Sequence, residues 1–170
     1  MEEKVNILRP QKIIENDLTN IVDLLKEIKE DDNLENIKIE NYKQENIELN
    51  DMRIEKAIVS NTEIMESNLD KNTFIDVEFE NCNFSNTSFE NCAFIRCEFI
   101  NCKMTGCNFV DSRLYNVIFN GTNMNYTNLS MANIENTIFE NSGLRSSDFQ
   151  ENKLKNIILK KSDLTRNKIF

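Results

Sequence analysis

Phe79-Glu80-Asn81-Cys82-Asn83-Phe84-Ser85-Asn86-Thr87-Ser88-Phe89-Glu90-Asn91-Cys92-Ala93-Phe94-Ile95-Arg96-Cys97-Glu98-Phe99 decides how this chain is read. Phenylalanine returns at every fifth residue. The same step continues forward through Met104, Phe109, Leu114, Phe119, Met124, Leu129, Ile134, Phe139, Leu144, Phe149, Leu154, Leu159, Leu164 and Ile169. Backward it meets Phe74, Leu69, Ile64, Val59, Ile54 and Leu49. These 25 consecutive positions are all apolar, in a chain that is only 39% hydrophobic, and they take ten of its 11 Phe. A six-residue step from Phe84 meets Glu90 and Arg96, and a helical step of four meets Ser88 and Cys92. Five is odd, so the two-residue period of a flat strand fails as well. An ordinary helix or sheet is therefore excluded from 49 to 169.

A second column lies two residues before each apolar centre. There the side chain is small in 19 of 25 units, among them Ala57, Cys82, Thr87, Cys92, Cys97, Cys102, Cys107, Thr127 and Ser147. The other three positions are mostly polar. Each unit thus turns one large and one small side chain inward and three outward. Asn fills about one residue in six and is the frequent turn former, against three Gly and one Pro.

Cys107-Asn108-Phe109, Thr127-Asn128-Leu129, Ser147-Asp148-Phe149 and Ser162-Asp163-Leu164 carry a resemblance to the pentapeptide-repeat family, whose unit is small, Asp/Asn, Leu/Phe and two loose positions. It covers roughly residues 47–170; Asp or Asn precedes the centre in eight of 25 units. The resemblance implies an all-β solenoid, a right-handed quadrilateral β-helix with four pentapeptides per coil. About six coils, stacked about 4.8 Å apart, make a rod on the order of 30 Å long.

Residues 1–33 do not repeat. Ile14, Leu18, Ile21, Leu25 and Ile28 are spaced 4, 3, 4, 3, which predicts an amphipathic α-helix from about Asp17 to Glu30 with Asn16 or Asp17 as N-cap. Its expected role is to cap the open end of the solenoid, whose unpaired edge needs covering; the alternative is a partner-binding helix. Val5, Ile7 and Leu8 read as a short extended piece before it. Residues 34–46 read as a degenerate first coil, because Leu34 and Ile39 are in phase while Gln44 takes the next centre.

The chain has no His, which removes imidazole bases, relays and ligands. Cys92, Cys97, Cys102 and Cys107 occupy the four sides of one coil, but Phe94, Phe99, Met104 and Phe109 fill its middle. Their sulfurs therefore cannot converge on a zinc ion. Cys82 and Cys102 share a column, where oxidation could link them. No metal, cofactor or catalytic residue is expected, and the chain reads as no enzyme. The start lacks a secretory pattern and no run suits a membrane helix, so a soluble, cytoplasmic protein is the expectation. Net charge −9 disfavours direct nucleic-acid binding.

Taking every fourth unit sorts the surface by side. The first side, centred on Leu49, Leu69, Phe89, Phe109, Leu129, Phe149 and Ile169, holds Glu48, Asp51, Asp70, Glu90, Asp111, Asp148 and Glu151 against Lys71 and Lys168, net −5. The second, centred on Ile54, Phe74, Phe94, Leu114, Ile134 and Leu154, holds six cations against three carboxylates, net +3. Two outward apolar columns, Ile118, Ile138, Ile158 and Ile75, Ile95, Tyr115, suggest an exposed protein-contact patch. These features predict a binding or scaffold protein acting through the sides of the rod on another protein. Resemblance to the quinolone-resistance members, which engage DNA gyrase or topoisomerase IV, implies the alternative, a DNA mimic whose carboxylates stand for phosphates. It also implies a homodimer through the C-terminal end, placed on Leu164, Ile169 and Phe170.

Overall fold

The computed structural model describes residues 6–11, 13, 15–21, 24, 26 and 31–169. The chain winds as a four-sided all-β solenoid in which residue i lies beside residue i+20. On the second side Leu34, Ile54, Phe74, Phe94, Leu114, Ile134 and Leu154 are consecutive parallel partners, so the rod makes seven turns. Strands β2 (Asn33–Glu40), β4 (Arg53–Ser60), β6 (Thr73–Glu80), β11 (Asn133–Glu140) and β12 (Lys153–Lys160) run through the corner from the second side to the third. In the intervening turns the corner splits the strand, into β7 (Ala93–Ile95) with β8 (Glu98–Ile100) and β9 (Arg113–Tyr115) with β10 (Ile118–Asn120). On the first side the rungs are single bridges, Glu48 to Asn68 and on through Ser88, Asn108, Asn128 and Asp148 to Lys168. On the fourth, β3 (Lys43–Glu45) pairs with β5 (Glu63–Met65), and bridges from Glu63 reach Asp163.

The turns have one cause. The residue two after each centre, from Asn36 to Arg166, is left-handed at all 27 positions, with φ between +48° and +71°. That conformation costs an ordinary L-residue about 1–2 kcal/mol and costs Asn and Asp less. Asn takes twelve of the positions, Asp three and Gly two. The few glycines are thus explained, because Asn and Asp together fill fifteen of the 27 positions. Each left-handed residue turns the chain a quarter of the way around and returns the next centre to the axis.

The centres fill that axis. Phe94, Phe99, Phe109, Phe119 and Phe139 are fully buried. On the third side Phe79, Phe99, Phe119 and Phe139 form a continuous stack with centroids 4.5–5.0 Å apart and planes within 11°. Along the chain Phe74, Phe79, Phe84, Phe89, Phe94 and Phe99 meet edge to face at 5.6–5.7 Å. Both arrangements are favoured aromatic geometries.

The small column has a second task. Each thiol donates to the carbonyl of the centre residue 23 positions earlier, in the preceding turn. Cys82 reaches Val59 at 3.3 Å, Cys92 reaches Leu69 at 3.0 Å and Cys107 reaches Phe84 at 2.9 Å. Thr87, Ser142, Ser147 and Ser162 make the same bond, to Ile64, Phe119, Met124 and Phe139. Small residues with a donor therefore add a hydrogen bond between successive turns that alanine cannot make.

The N-terminal segment departs from expectation. The helix predicted from Asp17 is not seen. Glu15–Asp17 is a single 3₁₀ turn, and β1 (Thr19–Ile21) pairs in parallel with Ile37–Ile39 as an extra rung of the third side. Beyond it only Leu24 and Lys26 are described before residue 31; both are helical, and the rest of the predicted helix lies outside the described residues. The exposed edge of β2 offers unpaired amides and carbonyls, and pairing them outweighs the 4, 3, 4, 3 spacing. Ile21 and Leu24, 8% and 3% exposed, cover the end of the core. Among the described residues no helix is long and apolar enough to cross a membrane.

Candidate functional site

The repeat places outward residues in straight columns at rung spacing, so the sides themselves are the candidate sites. On the first side the structure puts the predicted carboxylates in register, but their surroundings differ. Asp70 accepts from the Ser88 hydroxyl at 2.5 Å and from the Glu90 amide at 2.8 Å. Glu90 accepts from Asn108 at 3.3 Å. Asp148 faces Lys168 at 3.6 Å. Glu48, Asp51, Asp111 and Glu151 are exposed. Between Asp111 and Asp148 the outward residues are Asn128, Ser130 and Met131, so the negative charge falls into two groups rather than one even row.

The apolar columns need correction. Their rungs are in register, Ile118 to Ile138 to Ile158 and Ile75 to Ile95 to Tyr115. They are not exposed as predicted: Ile118 and Ile75 are buried, Ile95, Ile138 and Ile158 are half-buried, and only Tyr115 is exposed. Part of the reason is the N-terminal strap described next, which passes over this region.

Residues 6–11 run lengthwise over the corner between the second and third sides. The Leu8 amide donates to Asn116 Oδ1 at 3.2 Å, and the Gln11 amide donates to Asp76 Oδ1 at 3.0 Å. Between them Arg9 Nη1 meets both oxygens of Glu98 at 2.9 Å. Asp76, Glu98 and Asn116 are buried, although each occupies an outward position of the repeat. Arg96 clasps Asp76 through Nε and Nη2, both at 2.7 Å. Burial alone would raise the Asp76 carboxyl, but the Arg96 bonds, the Gln11 amide and the charges of Arg96 and Lys56 together hold it below the usual carboxylate range. Glu78, one rung from Glu98, goes the other way: burial, then the Glu98 and Glu80 carboxylates, push it up. Sequence reading missed this corner. Its only sequence signal is Pro10, the single proline of the chain.

The five thiols are all free and buried. Burial holds those of Cys92, Cys97 and Cys107 at about 12, where they stay protonated. Cys82 and Cys102 lie on adjacent turns of one column, and Cys102 is pushed up by its contact with Cys82 and by burial. At the last turn the inner positions open outward: Leu154, Leu159 and Ile169 are about half exposed around an apolar recess of about 110 Å³ that Leu164 also lines. Phe170 and Val5 lie outside the described residues.

The sequence signature described as "Pentapeptide repeat region" matches residues 71–120 and 92–169, more than half of the chain. No curated protein matches it. Among solved structures the fold is similar to HetL, a pentapeptide repeat protein involved in heterocyst differentiation regulation from the cyanobacterium Nostoc sp. strain PCC 7120. The identity is 12% and the TM-score 0.55, over 88% of this chain and 94% of HetL. Rfr23, a pentapeptide repeat protein from the cyanobacterium Cyanothece 51142, matches at 17% identity and TM-score 0.44, over 82% and 96%. QnrB1, a plasmid-mediated fluoroquinolone resistance protein, matches at 19% and 0.40, over 78% and 76%.

Proposed function

We propose that this chain, which belongs to the pentapeptide-repeat family, is a non-enzymatic binding or scaffold protein that engages another protein through the acidic first side of the rod. One observation carries the reading: seven carboxylates against two lysines, held in register on a surface whose backbone is fixed by bonds to the turns above and below. Such a side is pre-organised, so a partner with a basic surface loses little entropy in ordering it. Chemistry has poor support, since all five thiols are buried inside the core.

Capture from the native host lysate tests this. Wild type and Arg113→Glu, on the basic second side, should retain the same partner, and Glu90→Lys/Asp111→Lys should lose it. Identical captured sets for all three would sink the reading.

The acidic side also favours a second reading, a DNA mimic that acts on a type II topoisomerase. The scaffold reading predicts no change in gyrase supercoiling or quinolone protection at micromolar protein. Protection lost in Asp111→Lys and Asp148→Lys variants would transfer the conclusion to mimicry. The apolar end around Leu154, Leu159, Leu164 and Ile169 is proposed to pair with a second copy of the chain.

A further inference from the structure

We propose that the corner between the second and third sides is a peptide-binding groove, filled in cis by residues 6–11 and able to take, in their place, an extended segment of another chain that carries an Arg-Pro pair. This surface is separate from the acidic side, and the inference stands whether or not that side binds a partner.

The fit is specific in length and in chemistry. Asn116 and Asp76 lie two turns apart, about 9.6 Å, and they accept from the amides of Leu8 and Gln11. Three residues of extended chain span about 10 Å, so the strap lies along the axis, across the strands. Pro10 falls between the two anchored amides. It has no N–H to leave unpaired, and it keeps Arg9 extended. Asp76 Oδ1 accepts from both the Gln11 amide and Arg96 Nε, so Arg96 fixes the anchor that Gln11 uses.

Charge selects the arginine. Glu98 has an 11% exposed side chain and Arg9 a 67% exposed one, so the carboxylate belongs to the groove wall and the guanidinium reaches it from outside. A buried carboxylate that loses its cation is left uncompensated. Any segment that displaces the strap must therefore bring a cation to the same place, with one free amide before it and another two residues after it. Ile118 and Ile75 supply apolar wall beside these polar anchors. Among the described residues the strap is anchored through Leu8, Arg9 and Gln11. Exchange with an external segment therefore needs no change in the solenoid, and the closed strap lowers apparent affinity only by the fraction of time the groove is open.

The test uses the full chain and a fluorescent acetyl-Asn-Ile-Leu-Arg-Pro-Gln-amide peptide, with hydrogen exchange of the Leu8 and Gln11 amides read in parallel. Arg9→Glu should accelerate exchange at both amides and bind the peptide at least tenfold more tightly than wild type. Combining Arg9→Glu with Glu98→Lys should restore amide protection and exclude the peptide, because the reversed pair closes the strap again. Unchanged exchange in Arg9→Glu would show that Arg9 does not hold the strap. Accelerated exchange without peptide binding would show that the corner takes no segment in trans. Either result overturns the proposal.

Discussion

A single backbone conformation, repeated every five residues, sets the stability of each turn. Met131 is left-handed at φ +60° and exposed, a poor residue for the place. Met131→Asn is expected to stabilise the chain by about 0.5–1 kcal/mol, and Gly121→Ala to cost at least about 1–2 kcal/mol. At Gly121 an added Cβ would lie 2.6 Å from Asn101 Oδ1 as well. Urea melts measure both. The paired carboxyls of the strap corner predict opposite pH dependence. Asp76, held low, stabilises above its unfolded value and loses that contribution as pH falls through its lower folded value. Glu78, held high, favours its protonated form in the fold, so its contribution is present at low pH and lost as pH rises through the folded value. At pH 7 Asp76→Asn should therefore destabilise and Glu78→Gln stabilise, and both differences should shrink below the ordinary carboxylate range. Equal slopes in melts from pH 7 to pH 3 would contradict these signs. The large and small inward positions were legible as a five-residue step. The thiol and hydroxyl bonds to the carbonyls of the preceding turn were not, because their acceptors lie 23 residues away and carbonyls leave no mark in a sequence.

Elements in this molecule are rungs, and each is worth what stacks on it. Phe99 sits between Phe79 at 4.5 Å and Phe119 at 4.9 Å and is fully buried. Phe99→Ala should cost roughly 3–5 kcal/mol. Leu159→Ala, at the half-exposed end of the same side, should cost clearly less. Equal losses in denaturant melts would contradict the ladder. Sequence reading succeeded where an element repeats its neighbours, from Leu49 to Ile169, and failed where it borrows them. Thr19–Ile21 carries a helical apolar spacing, yet the free edge of β2 recruits it as a strand. Leu8, Arg9 and Gln11 have no periodicity at all, and their partners are 108, 89 and 65 residues away. The predicted apolar columns failed for the same reason: register placed Ile75 and Ile118 outward, and nothing local announced that a strap would pass over that corner.

The whole molecule is a stiff rod with unlike sides, a covered N-terminal end and an apolar opposite end. Pairing of that apolar end with a second copy predicts a dimer by light scattering that Ile169→Asp converts to monomer without lowering the melting temperature; a wild type already monomeric would refute it. On the proposed function, the first side is the one a partner touches. A photocrosslinking residue tests it in the native host without altering any charge. Val110, between Glu90 and Ser130 on the first side, and Asn133, on the second, are outward positions of the same rod. A crosslinked adduct of defined mass is expected from position 110 and none from position 133. Adducts from position 133 alone, or equally from both, would contradict the proposed function.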